Sequence, residues 1–196
     1  MLGEDVVAQA EALLGCLVTS VDADTGERTV ARIVETEAYR GRDDRASHAY
    51  AYRRTPRTEV FFGPPGHAYV YLCYGIHRMF NVIAGPVGEP NAVLVRAVEP
   101  VDGVGVMLRR RRLSAPTRRI SGGPGLVCQA LGIGLSDNGA DLLDPQGRVR
   151  LDGPFGSLPA KRVTRTPRVG VAYAGEAASW PWRFRDSESA FTSPAK

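Results

Sequence analysis

Lysine is nearly missing from this 196-residue chain; Lys161 and Lys196 are the only two. A Schiff-base reaction would rest on Lys161 alone, since Lys196 is the last residue, where backbones commonly fray. Cysteine is also sparse. Cys16, Cys73 and Cys128 are an odd number with no CxxC pair, which argues against a disulfide framework or a zinc knuckle. The histidines are His48, His67 and His77, and they form no HExxH or paired Cys/His spacing. No catalytic metal is therefore expected, and the zinc deaminase signature is missing with it. There is no GxxxxGK[ST] phosphate loop and no GxSxG elbow, and Gly122–Gly125 reads as a plain turn. No apolar run approaches the roughly 20 residues of a membrane span. The first residues carry acids where a secretory signal would carry Lys or Arg. The expectation is a cytoplasmic protein with no membrane partner.

What is present fits an ordinary globular chain, with 43% hydrophobic and 23% charged residues. The length suits one domain spanning 1–196, and no linker or internal repeat divides it. The net charge is +4, and its basic side is almost all arginine, whose planar fork binds two phosphate oxygens at once.

Val6, Ala10, Leu13 and Leu14 predict an amphipathic helix over 5–18, with Gly15 as a stop signal. Val21–Gly26 reads as a turn and Thr29–Tyr39 as a strand. Residues 40–58 form a polar loop holding Arg40, Arg42, Arg45, Arg53, Arg54 and Arg57. After the Gly63–Gly66 turn, His67–Tyr74 and Met79–Ala84 form a hairpin around Gly75. Ala92–Val98 is a further strand, and a helix is expected from Pro100 to about Leu113, with Arg109–Arg112 in its last turn. Ser114–Gly125 reads as a flexible crossing, Leu126–Leu131 as a short helix and 136–166 as loop-rich. Arg168–Tyr173 reads as a late strand, and the tail after Arg185 as loose. Strands in the middle with helices around them give a mixed α+β fold.

Two clusters could carry chemistry. In Val34–Tyr39, strand alternation puts Glu35, Glu37 and Tyr39 on one face. Two carboxylates near arginines can orient a water or stabilise a developing cation. The same residues also fit a solvated face with ion pairs. In His67–Gly75, His67, Tyr69 and Tyr71 share a face and Tyr74 sits at the hairpin tip. Aromatics beside arginines suit stacking on bases, and strand aromatics also suit core packing; a tip offers little to pack against. Asp43, Asp44 and Asp102 read as turn or cap residues.

With these residues in view, the chain resembles the alkyladenine (3-methyladenine) DNA glycosylase family. The matching stretches, in order, are Arg32–Tyr39, Ala46–His48, Thr55–Arg57, Tyr69–Gly75 with Asn81, Val93–Ala97 with Glu99–Pro100, Gly123–Gly125 with Cys128–Leu131, and Arg168–Val171. They cover most of the chain from about 5 to 185. The resemblance implies one domain with a curved antiparallel sheet, flanking helices and a protruding DNA-inserting hairpin. It implies monofunctional excision of alkylated or deaminated purines, 3-methyladenine and hypoxanthine among them, by base flipping in base excision repair. It further implies no cofactor, a monomer, and duplex DNA with damaged purines as partner. By position, Glu37 activates water, and Arg96 and the Val169 carbonyl hold it. Tyr39, His48 and Tyr71 enclose the base, Asn81 rejects the 2-amino group of guanine, and Tyr74 wedges into the gap. Arg54 and Arg57, with the rest of the 40–57 loop and 109–119, meet phosphates. Leu126 stands where many members carry Lys, which would weaken a DNA contact there or leave it to the backbone amide alone. The alternatives are a non-catalytic DNA-binding module and an RNA-binding protein that stacks unpaired bases.

Overall fold

A computed structural model describes residues 5–154 and 158–194. The longest element is a strand over Arg28–Arg40, β2, whose β-branched and apolar residues are buried almost throughout. An earlier strand, β1, spans Leu17–Val21, and a helix, α1, spans Val6–Ala12. The chain then runs through β3 (Ala68–Cys73), β4 (His77–Ala84) and β5 (Asn91–Asp102) to α2 (Val104–Arg111) and α3 (Pro124–Leu131). Three short strands follow: β6 (Val149–Asp152), β7 (Val163–Thr166) and β8 (Arg183–Asp186). All pairings are antiparallel, in the order β3-β4-β5-β2-β1-β6, with β8 joining β2 and β7 joining β8. The result is a curled sheet flanked by helices, the mixed α+β class that the sequence indicates. Among the described residues no helix is long and apolar enough to cross a membrane.

β2 changes partner midway. Leu17–Val21 pair with Arg28–Arg32, and Arg183–Arg185 pair with Glu35–Glu37. At the changeover Glu35 opposes Ala97 and Thr36 opposes Val95, which leaves Arg96 as the extra residue of a bulge in β5. A bulge adds twist and re-aims a side chain. Here it turns Arg96 toward the acids of β2.

The core lies between the sheet and the three helices, with Leu13, Leu14, Ile33, Phe80, Met107, Ile120 and Leu131 wholly buried. Each such side chain contributes about 1.5–3 kcal/mol. A second cluster, Phe61, Tyr69, Ile83, Ala49 and Ala92, packs beneath the loop after β2.

Several boundaries differ from the sequence reading. α1 is capped by Asp5, whose Oδ1 accepts the Val7 N–H at 2.9 Å, and it stops well short of residue 18. Gly15 takes φ 91°, and the β-branched run after Cys16 becomes β1. The helix expected from Pro100 starts at Val104, because β5 carries Pro100 in its ladder opposite Ala31. Gly103 makes that turn at φ 69°, where a Cβ would lie 2.2 Å from the Arg28 carbonyl. α3 begins at Pro124, two residues early, so the glycines at 122–125 form its entry rather than an isolated turn.

Residues 168–173 are not a strand: Gly170 is left-handed (φ 77°) and a 3-10 helix runs over Ala172–Ser179. The late strands are β7 and β8, where arginines obscure the apolar alternation. The 136–166 region also holds β6 and β7; its residues 155–157 lie outside the described residues, as does Lys196. The tail after Arg185 is packed, not loose. Asp186 is buried against Arg32 and Arg162, and Ser193 is buried too.

Candidate active site

The expected solvated face on β2 is absent. Glu35 and Glu37 are both fully buried. Arg96 bridges them, its Nε donating to Glu35 Oε1 at 3.0 Å and its Nη1 to Glu37 Oε2 at 3.2 Å. Arg183 of β8 donates through Nε to Glu35 Oε1 at 2.7 Å. Two carboxylates thus meet two guanidiniums in a balanced buried cluster, the condition under which buried charge is tolerated. Burial opposes the charge on Arg96, but Glu37 and Glu35 outweigh it, so Arg96 remains cationic with its pKa raised.

Glu37 has two further donors. The Tyr39 hydroxyl donates to Oε2 at 2.7 Å, and the Val169 N–H donates to Oε1 at 2.8 Å. Val169 thus meets Glu37 through its N–H. Burial, then the neighbouring Glu37, pushes the Tyr39 phenol well above its usual range, so it acts as a donor. The turn bearing Val169 is braced by Arg168, which is buried and paired with Asp44 at 2.8 Å. Arg168 also donates to the carbonyls of Ala38 and Ala177 and lies over the Tyr39 ring at 4.7 Å. Asp44 does serve the turn, accepting from the Ala46 N–H at 2.9 Å, but its ion pair with Arg168 is the larger role.

In front of this cluster lies a cavity of about 400 Å³, within the range of small-molecule sites. Its wall includes Tyr39, His48, Arg57, Tyr69, Tyr71, Asn81, Arg96, Val169 and Tyr173, with Tyr74 at the rim. Glu37 stands just behind this wall, bonded to Tyr39, Arg96 and Val169, which all face the space. Tyr71 stacks on Tyr69 with ring centres 5.1 Å apart, and His48 meets Tyr71 edge-on at 4.6 Å. His48 Nδ1 is 3.0 Å from the Tyr69 hydroxyl. Desolvation by the pocket walls, then Arg57, pushes His48 down to about 4, so the ring is neutral at pH 7. Asn81, opposite Tyr69 in the β3–β4 ladder, donates through Nδ2 to the Tyr69 carbonyl at 3.0 Å. Tyr69 is itself core rather than cavity floor alone, only 1% exposed.

β3 and β4 close in a tight turn, with the Ile76 N–H donating to the Cys73 carbonyl at 3.1 Å. Tyr74 (φ 50°) and Gly75 (φ 70°) are both left-handed. A bulky residue in that region is strained. Tyr74 is also 91% exposed, so neither packing nor backbone preference accounts for it. Strain without burial is a mark of a functional position.

The expected phosphate-binding arginines are placed unevenly. Arg54 is exposed and paired with Glu59, whereas Arg57 lines the cavity, donating to the Tyr69 hydroxyl at 3.3 Å over the Tyr71 ring. Arg109, Arg110 and Arg111 are engaged with Glu27, with Asp22, and with Gln129 and the Ile120 carbonyl. The Leu126 N–H is taken by the Gly123 carbonyl at 2.9 Å, which removes the amide contact expected there. Sequence reasoning missed Arg168 and Arg183 as site residues and took Asp44 for a turn residue alone. Asp44 and Arg183 stand in charged stretches that read as solvated, and only Arg168 carried a signal, a charge at the head of an apolar stretch.

The chain is similar along most of its length to known proteins. The family profile described as methylpurine-DNA glycosylase matches residues 1–190. A protein of Bacillus cereus, provisionally named a 3-methyladenine DNA glycosylase, is 45% identical over 92% of this chain and 90% of its own. Proteins with the same provisional name from Chlamydia felis and Bacillus mycoides are each 43% identical, covering 93% and 96% of this chain and 91% and 95% of theirs. The chain belongs to the methylpurine-DNA glycosylase family of N-glycosyl hydrolases.

Proposed function

We propose that this protein excises 3-methyladenine and related damaged purines, hypoxanthine included, from duplex DNA by flipping the nucleotide and hydrolysing its N-glycosyl bond. It acts as a monomer in the cytoplasm. The observation that carries this reading is the buried Glu37 carboxylate, held by Arg96, Tyr39 and Val169 at the back of an aromatic cavity.

Extruding a nucleotide costs a few kcal/mol, least for a damaged base. Tyr74, exposed on a two-stranded finger at the cavity rim, fills the vacated stack and offsets that cost. The extruded purine lies among Tyr71, His48 and Tyr39, with neutral His48 and Asn81 offering polar contacts to its edge. Asn81, on the cavity wall, rejects the 2-amino group of guanine. As the bond between sugar and base breaks, its electron pair leaves with the base and positive charge grows on the sugar. Glu37 stabilises that charge and takes the proton of a water that replaces the Tyr39 hydroxyl against it, while the oxygen bonds to the sugar carbon. Arg96 donates to Glu37 Oε2 and balances its charge. Among the described residues no lysine lines the cavity, which favours water over an amine nucleophile. Arg54, with the other exposed arginines of the 40–57 loop, supplies phosphate contacts along the duplex, and Arg57, at the cavity wall over Tyr71, meets the phosphate of the extruded nucleotide.

The test is release of free base from methylated and hypoxanthine-containing duplexes by the purified protein. Release of 3-methyladenine above background supports the reading. Lesion binding with no release from either duplex replaces it with the non-catalytic DNA-binding module.

A further inference from the structure

The C-terminal segment reaches the catalytic cluster from behind. Ser193 is only 3% exposed, although serine is mostly a surface residue. Both of its donors are spent on one carboxylate. Its N–H donates to Glu35 Oε2 at 2.6 Å, and its hydroxyl donates to Glu35 Oε1 at 2.8 Å. Arg183 joins the same group, donating through Nη2 to the Ser193 hydroxyl at 3.2 Å while its Nε holds Glu35.

Glu35 cannot act on substrate itself. Its four short contacts are with Arg96, Arg183 and Ser193, of which only Arg96 faces the cavity, whereas all three partners of Glu37 face it. What it does hold is Arg96, the bulged residue whose other end grips Glu37. Arg96 Nε and Nη1 are fixed in one plane, so a shift of Glu35 rotates the whole guanidinium and moves the contact at Glu37.

We propose that Ser193 is a positioning residue for the hydrolysis: it straps the C-terminal segment onto Glu35 and thereby fixes Arg96 against Glu37. Among the described residues none after Tyr173 lines the cavity, so the contribution of this segment acts on chemistry and leaves DNA capture alone. Displacements of about 1 Å at an active site cost up to roughly 10²-fold in rate, which sets the scale of the effect. The inference rests on the role of Glu37 given above.

The experiment compares full-length wild type, Ser193→Ala, Ser193→Thr and Glu37→Gln. Single-turnover release of 3-methyladenine from methylated duplex DNA gives the chemical rate. Affinity for a duplex carrying an uncleavable abasic analogue gives DNA capture, and melting curves confirm folding at the assay temperature. Ser193→Ala should slow release about tenfold or more with analogue affinity within about twofold, and Ser193→Thr, which keeps the hydroxyl, should restore the rate. A Ser193→Ala rate equal to wild type overturns the proposal. So does a parallel fall of rate and affinity, or a failure of threonine to rescue, since either marks general loosening. If Glu37→Gln also releases base at the wild-type rate, it is the reading of Glu37 that fails.

Discussion

Glu37→Gln is nearly isosteric, and its consequences can be worked from the contacts. Glu37 accepts from Val169 N–H, from the Tyr39 hydroxyl and from Arg96 Nη1. A glutamine has one oxygen for these donors. Turned toward Arg96, it presses its amide hydrogens on the Val169 N–H; turned toward Val169, it presses them on Arg96. Tyr39 can rotate its hydroxyl and accept, but the other two cannot. One buried donor is therefore left without an acceptor in either arrangement, at about 1–3 kcal/mol. For a chain of this size each kcal/mol shifts Tm by roughly 2–4 °C, so Tm should fall by roughly 2–12 °C with the fold intact. The chemical loss should be far larger. A neutral amide neither takes a proton from water nor stabilises a cation, and removal of a general base costs roughly 10²–10⁴ in rate. Single-turnover release of 3-methyladenine, measured well below Tm, should fall by that factor while affinity for the lesion duplex is retained. A folded Glu37→Gln protein working within threefold of wild type would refute the reasoning.

Other perturbations separate strain, charge and titration. Tyr74→Gly removes a left-handed tyrosine that packs on little, so Tm should hold or rise by a few degrees while affinity for a lesion duplex drops at least roughly tenfold; a fall in Tm with unchanged affinity would make Tyr74 structural. Asp44→Ala leaves Arg168 charged and unpaired in the interior and should cost about 3–5 kcal/mol, or roughly 6–20 °C in Tm by calorimetry; a change below 2 °C would contradict the buried pair. His48, held down at about 4 in the fold against 6.5 in the free side chain, stabilises the folded state above pH 6.5, and that contribution is lost as pH falls toward 4. His48→Gln should therefore flatten the decline of Tm across that window, and identical slopes would show that the ring is not desolvated.

Much of this was legible in the residues. β-branched runs marked β2, β4 and β5, and a glycine between apolar strands marked the finger that carries Tyr74. The Glu35–Glu37 pair was visible as alternation, but its burial was not, because the residues that neutralise it come from β5, β8 and the C-terminal segment. Arg96 owes its direction to a bulge, and a bulge depends on which strands pair. Arg183 and Ser193 lie where local polarity signals solvent, and only the pairing of β8 with β2 brings them inside. Arg168 read as strand because its neighbours are apolar, whereas its ion pair with Asp44 is set by contact across 124 residues. Where a buried charge has a distant partner, local pattern carries no trace of it.

The most direct measurement is a crystal structure with duplex DNA bearing an uncleavable abasic analogue. The expected density shows Tyr74 within the base stack and an ordered water hydrogen-bonded to Glu37, roughly 3–3.5 Å from the sugar carbon. Tyr74 lying outside the helix, or Glu37 still walled off from the sugar with no water between them, would contradict the central role given to that acid.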